Sequence, residues 1–189
     1  MRHGIDRARD CIAGLALVAA LLGLAGCGEG DARGPGREAG SAGAGRAAAA
    51  TYACKVVGVT DGDTLRVLHD GREERIRLHG VDAPEKTQPY STRAKQLVSS
   101  LAFGKVVQVQ ALDTDRYGRT VARIVLEDGR DLGRELVREG LAWWYRQYAA
   151  DDAELGALEQ DARAARRGLW ADPSPQPPWE HRRQRKEAG

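Results

Sequence analysis

The stretch IRLHGVDAPEK, Ile76 to Lys86, places Arg77, Asp82 and Glu85 close together at what reads as the end of a strand. Upstream, Asp61-Gly62-Asp63-Thr64 supplies two more acids; downstream, Asp115-Arg116-Tyr117-Gly118-Arg119 supplies two more arginines. Each stretch alone has an ordinary explanation. Asp-Gly suits tight turns on steric grounds, a residue before proline is held extended, and an arginine on a strand usually faces water. Together they are less ordinary. Carboxylates crowded at neighbouring strand ends repel one another unless a cation joins them. A hard divalent ion, calcium in particular, takes such oxygens together with main-chain carbonyls and waters. Guanidinium is permanently charged and grips phosphate oxygens with two prongs, so Arg77 and Arg119 could serve one cleft. A divalent ion, a spare carboxylate and two fixed cations are what phosphodiester hydrolysis needs, because negative charge grows on the phosphorus oxygens as water attacks.

The surrounding pattern must position these groups. Tyr52 to Leu68 alternates apolar and polar residues and breaks at Asp61-Gly62-Asp63, which predicts two strands joined by a tight turn. Asp70-Gly71 marks a second turn, and Glu74 to Val81 a third strand. Tyr90, Ala94, Leu97, Val98 and Leu101 fall on one face of an amphipathic helix that Gly104 stops. Lys105 to Leu112 and Thr120 to Leu126 alternate as a fourth and a fifth strand, the latter ended by Asp128-Gly129. Leu132, Leu136 and Val137 predict a short helix closed at Gly140. Asp151 to Arg167 predicts a longer one, with Asp151 and Glu154 as a capping box and Gly168 as the stop. Three strands, a helix, two strands and two helices suit a small barrel of the OB kind with helices packed outside, although other α+β arrangements share this order.

Outside this domain the chain reads differently. The apolar run IAGLALVAALLGLAG follows MRHGIDRARD and has the length of a signal peptide rather than a spanning helix. It ends in Leu24-Ala25-Gly26-Cys27, which matches the bacterial lipobox, so residues 1–26 are expected to be a leader and Cys27 to carry the lipid. Buried acyl methylenes hold a protein to a membrane at roughly 0.8 kcal/mol each, with no membrane span required. Residues 27–51 are mostly glycine, alanine and charge, and have too little to bury to offset their ordering entropy; they read as a flexible tether. With Cys11 in the leader and Cys27 lipidated, Cys54 is left alone, a small core residue with no disulfide partner. No Cys/His spacing suits zinc. The formal charge of +2 says little about partners, so any electropositive site must come from local clustering.

The motifs DGDT, RLHGVDAPE and DRYGR, in that order, resemble the staphylococcal nuclease family, and the likeness runs from about Cys54 to Trp170 through LVREGLAWWY and RRGLW. The resemblance implies an α+β fold, an OB-fold five-stranded β-barrel with three packed α-helices, over residues 52–171. It implies calcium-dependent hydrolysis of DNA and RNA that leaves 5′-hydroxyl and 3′-phosphate ends. Carried onto this chain, Asp63 and Asp82 match the carboxylate ligands of calcium, and Ala83 the residue that lends a main-chain carbonyl. Glu85 matches the glutamate that orients or deprotonates the attacking water, Arg77 and Arg119 the two phosphate-binding arginines, and Arg116 and Tyr117 further substrate contacts. Asp61 is then a supporting acid.

Some features depart from the family. Lys86 to Ser91 is much shorter than the mobile lysine-rich loop of the staphylococcal protein, which bears on affinity. Trp143, Trp144, Tyr145 and Tyr148 could stack on bases; Tyr148 is kept as a candidate substrate contact, while one of Trp143 and Trp144 suits the core. His79 reads as a strand surface residue. Residues 172–189 are proline-rich and then basic, suggesting an extended strap with Trp179 as an anchor and an end that either touches nucleic acid or acidic lipid or, equally, only keeps the chain soluble. The expected protein is thus a monomeric, lipid-anchored nuclease of the bacterial cell envelope, facing outside the cytoplasm, with nucleic acid as substrate. The rival reading is a non-catalytic nucleic-acid-binding module on the same barrel. An interaction scaffold would leave the arginines and carboxylates without a purpose.

Overall fold

The computed structural model describes residues 50–189. The expected leader, the lipidation cysteine Cys27 and the tether as far as residue 49 lie outside the described residues. β1 (Thr51–Val59), β2 (Thr64–His69) and β3 (Arg72–Leu78) form an antiparallel meander. β4 (Val81–Asp82) is a two-residue strand, followed by α1 (Ser91–Ala102), β5 (Val106–Thr114) and β6 (Thr120–Val125). β1, β2, β3, β6 and β5 close into a barrel in that order. Every pairing is antiparallel except β3 with β6, where Ile76 meets Thr120 and Arg77 meets Val121 in parallel. Beyond the barrel come α2 (Leu132–Arg138), β7 (Trp143–Trp144), α3 (Ala153–Ala164), a 3-10 turn (Gly168–Ala171) and α4 (Pro178–Glu187). The expected α+β, OB-type five-stranded barrel with three helices is what the chain forms, and a fourth helix is added.

Alternation decides which residues fill the barrel. Val56, Leu65, Val67, Ile76, Val109 and Ile124 point inward from five strands and are fully buried. Ala94 and Val98 of α1 and Leu132, Leu136 and Val137 of α2 close the same core, and Cys54 lies in it as expected of a small apolar side chain. A second, smaller cluster gathers Trp143, Ala162, Leu169 and Trp170, with Tyr90 and Trp179 against its edge. The RRGLW stretch enters this cluster through a backbone-to-backbone contact. Leu169 N–H donates to the Gly140 carbonyl at 2.8 Å, and a Cβ on Gly168 would lie 2.2 Å from that oxygen. Gly168 therefore does more than stop a helix; no other residue fits there.

Three expectations are corrected. α3 is capped by Asp152, whose carboxylate accepts from Leu155 N–H, and not by Asp151; the helix starts one residue later than the capping-box pattern implied. His79 follows β3 in a turn and is half-buried, with its Nδ1 enclosed and unpartnered. The tail is no extended strap throughout: Pro178 occupies the first turn of a helix, where a missing N–H costs nothing, and α4 runs to Glu187. Among the described residues no helix is long and apolar enough to cross a membrane.

Candidate active site

Barrel register brings the sequence motifs together. β2 pairs with β3 so that Thr64 faces Arg77, and Leu78 N–H donates to the Asp63 carbonyl at 2.9 Å. The parallel pairing of β3 with β6 then sets the segment before Thr120, which ends in Arg119, beside the same strand end. Asp82 arrives by another route. β4 pairs with β7, Asp82 opposite Trp143 and Val81 opposite Trp144, and Tyr145 N–H donates to the Gly80 carbonyl at 2.8 Å. The LAWWY motif is thus the brace that holds VDAP against the barrel mouth. Gly62 allows the approach from the other side, since a Cβ there would stand 2.7 Å from the Cβ atoms of both Ala83 and Ala94.

At the centre is Arg77. Its Nη1 donates to the carbonyls of Leu78 (3.0 Å) and Val81 (2.8 Å), and its Nη2 lies 3.0 Å from Asp82 Oδ1 and 3.3 Å from Asp63 Oδ2. Asp63 Oδ2 also accepts from Ala83 N–H at 2.7 Å, so Asp63, Asp82 and Ala83 form one buried group around that guanidinium. Arg119 is held differently. Asp115 Oδ2 takes its Nε at 2.7 Å, Thr64 Oγ1 accepts from its Nη1 at 3.2 Å, and Nη2 makes no bond among the described residues. Asp115, read from the sequence as part of a turn, therefore aims this arginine. Glu85 stands at the rim, its N–H bonded to the buried Gln88 Oε1 at 3.0 Å.

Burial disfavours the charged form of the acids at this site. Burial pushes the Asp82 carboxyl above the usual range; the hydrogen bond from Arg182 and the charge of Arg77 oppose this, while Asp63 adds to it. Asp61 is pushed up to about 6 by burial and by the neighbouring Asp63 charge. Among the described residues no three His, Cys, Asp or Glu side chains converge to hold a metal. Asp63 and Asp82 nevertheless present desolvated, oxygen-only donors that repel one another. That set fits a hard cation whose remaining ligands are carbonyl and water, and does not suit zinc.

The Arg182 contact went unseen in the sequence, whereas Trp179 is the anchor that the sequence suggested. Arg182 of α4 reaches the site: Nη1 lies 3.2 Å from Asp82 Oδ1 and 2.8 Å from Glu85 Oε1, and Nη2 lies 2.8 Å from Asp82 Oδ2. α4 is docked by Trp179, stacked on Tyr145 (centroids 5.3 Å, planes 5° apart) and edge-on to Trp143 at 5.6 Å. Thr87 and His181 meet at 2.9 Å, and Gln88 Nε2 donates to the Gln176 carbonyl at 2.9 Å. The remaining expected contacts lie in the same cleft, which Arg116, Tyr117 and Tyr148 line. Arg116 stands over the Tyr117 ring at 4.8 Å, and the two tyrosines are 60% and 65% exposed. Trp143 is buried, as a core residue should be.

Residues 75–172, more than half of the chain, match the family described as staphylococcal nuclease homologue. The chain belongs to that family. An Escherichia coli protein described as an uncharacterized endonuclease is 43% identical over 125 residues, covering 66% of this chain and 81% of its own. The micrococcal nuclease of Shigella flexneri is 40% identical over 148 residues, 74% of this chain and 85% of its own. Protein ParB of Escherichia coli is 41% identical over 139 residues, 69% and 78% respectively. The hydrolase class expected from the motifs stands with this membership. In this staphylococcal nuclease homologue the family-matched segment carries Arg77, Asp82, Glu85 and Arg119, whereas α4 lies beyond its end.

Proposed function

We propose that the chain is a calcium-dependent nuclease that hydrolyses DNA and RNA phosphodiesters to 5′-hydroxyl and 3′-phosphate ends. The observation that carries this is the convergence of Arg77, Asp63, Asp82 and Glu85 at one barrel mouth, with Arg119 aimed alongside by Asp115 and Thr64. Asp63 and Asp82, with the Ala83 carbonyl, are the residues that would hold calcium. Bound there, calcium would supply positive charge where negative charge grows on the phosphorus oxygens. Glu85, a third exposed and next to Asp82, accepts the proton of the attacking water. Arg119 offers its unbonded Nη2 to a non-bridging phosphate oxygen, and Arg77 keeps the carboxylates together while adding charge to the same side. Tyr117, Tyr148 and Arg116 support substrate stacking and phosphate contact from the cleft wall.

The test is cleavage of single-stranded DNA, duplex DNA and RNA with calcium, with magnesium or with chelator, alongside Glu85→Gln, with end-group analysis of the products. Calcium-dependent cleavage lost in Glu85→Gln supports the reading. Tight binding without cleavage under every metal would replace it with the non-catalytic module.

We also propose lipid anchoring through Cys27 at the outer side of the cytoplasmic boundary, supported by the LAGC stretch at the end of an apolar run. Cys27→Ser should move the protein from the membrane to the soluble fraction; persistent membrane association would refute a sole lipid anchor.

A further inference from the structure

We infer that α4 is a second wall of the substrate groove, built to bind the phosphates of an extended single-stranded nucleic acid. The inference rests on the nuclease reading above and names an element that the family-matched segment, ending at Asp172, does not contain. Arg182, Arg183, Arg185 and Lys186 all line the cleft that Arg116 and Arg119 line from the opposite turn. Arg182, Arg185 and Lys186, at positions i, i+3 and i+4, share one helical face, and Arg183 stands at its edge. Their charges are unequally answered. Arg182 neutralises Asp82 and Glu85, and Arg183 reaches only the exposed Glu187 at 4.0 Å on its own helix. Arg185 and Lys186 have no acidic partner among the described residues.

Cations held side by side without counter-charges repel, so a helix that carries them needs strong docking to face a cleft. α4 has that docking. Trp179 stacks on Tyr145, His181 meets Thr87, and the buried Gln88 fixes Gln176 just ahead of the helix. Thr87 and Gln88 belong to the short connection between β4 and α1, so the helix is held against that connection. Several of the cleft's own acids are occupied: Asp115 is taken by Arg119, and Asp63 and Asp82 by Arg77. Asp61, Glu74 and Asp113 also line the cleft without a cation partner among the described residues, yet the lining holds nine Lys and Arg against seven Asp and Glu, so the cleft as a whole is positive. A polyanion that crosses from the Arg116 turn to α4 passes over the catalytic carboxylates with cations on both sides. The exposed rings of Tyr117 and Tyr148 in the same cleft select the form of that polyanion, because stacking on a side chain needs bases that are not already paired and stacked in a duplex.

The experiment measures binding of a fluorescent oligothymidylate of about 20 nucleotides, long enough to fill sites of this kind, to the full chain in chelator as salt is varied. Arg183, Arg185 and Lys186 are replaced together by Gln, which spares the Arg182 contacts. Loss of three phosphate contacts at about 0.7 each for single strands should flatten the slope of log K against log salt by about 2. A companion variant, Arg183→Lys with Arg185→Lys, should keep the slope, which separates charge from folding; the melting temperature of each variant is recorded beside it. An unchanged slope in the triple variant overturns the second wall while leaving the nuclease intact. Tighter binding of a duplex than of the single strand overturns the choice of ligand. Absence of binding in chelator together with absence of cleavage in calcium, both in the unsubstituted chain, would instead fail the nuclease reading itself.

Discussion

The guanidinium of Arg182 grips the carboxylate of Asp82 with two prongs, Nη1 3.2 Å from Oδ1 and Nη2 2.8 Å from Oδ2. Asp82 is 1% exposed and Arg182 39%, so a surface helix delivers its charge to an acid sealed in the barrel mouth. A cation that claims Asp82 must compete with this arginine. Arg182→Ala should therefore bind calcium more tightly, by roughly tenfold if about 1.4 kcal/mol of competition is removed. Calorimetric titration of calcium into both proteins checks this without any turnover. Weaker binding in the variant would show that Arg182 preorganises the acids and does not block them.

Arg77 and Glu85 should separate stability from rate. Arg77→Ala removes four contacts and leaves Asp63 and Asp82 without their shared cation, so unfolding should become easier by about 3–5 kcal/mol as well as activity being lost. Glu85 is 34% exposed and its ion pair is at the rim, so Glu85→Gln should fold almost normally and lose about 100-fold to 10,000-fold in rate. Denaturant melts beside single-turnover rates distinguish the two. Equal stability losses would mean the burial argument for Arg77 is wrong.

Gly62 has no room for a methyl group. Gly62→Ala pushes a Cβ to within 2.7 Å of Ala83 and Ala94, and neither neighbour is a flexible side chain. The expected cost is about 1–3 kcal/mol, with lowered activity because Ala83 shares the Asp63 hydrogen bond. A melting curve with no shift would contradict the geometry.

Cys54 should resist alkylation in the native protein. Burial, with Glu74 nearby, pushes its thiol up to about 11, and only 4% of the residue is exposed. The reactive thiolate is therefore scarce at neutral pH and rises only as the pH approaches that value. Peptide-resolved mass spectrometry after iodoacetamide should find Cys54 unmodified until denaturant is added. Rapid native labelling would place it at the surface.

The barrel and the grouping of its candidate residues were legible wherever local rules act. Alternation marked the strands, Asp-Gly and Gly marked the turns, and three short motifs named the acids and arginines. The rest depends on contacts that leave no periodic trace. β4 and β7 have two residues each, too short for alternation, so the brace from Trp143 to Asp82 was invisible. Arg182 meets Asp82 across 100 residues of chain, and nothing in either segment points to the other. α4 was a different failure: Pro177 and Pro178 suggested an extended strap, although proline followed by WEHRRQRKE is also how a helix begins. The cap of α3 turned on Asp151 against Asp152, neighbours of equal chemistry that only backbone direction distinguishes.

The parallel seam between β3 and β6 has a consequence for how the molecule comes into being. Ile76 must wait for Thr120, and β1 for β5, so closure joins partners far apart along the chain, an arrangement that slows folding. On the proposed assignment of the site, a growing polypeptide that has released only β1, β2 and β3 carries Asp63 and Arg77 but not yet Arg119 or the Trp143 brace, so the site is complete only once those later segments have been made.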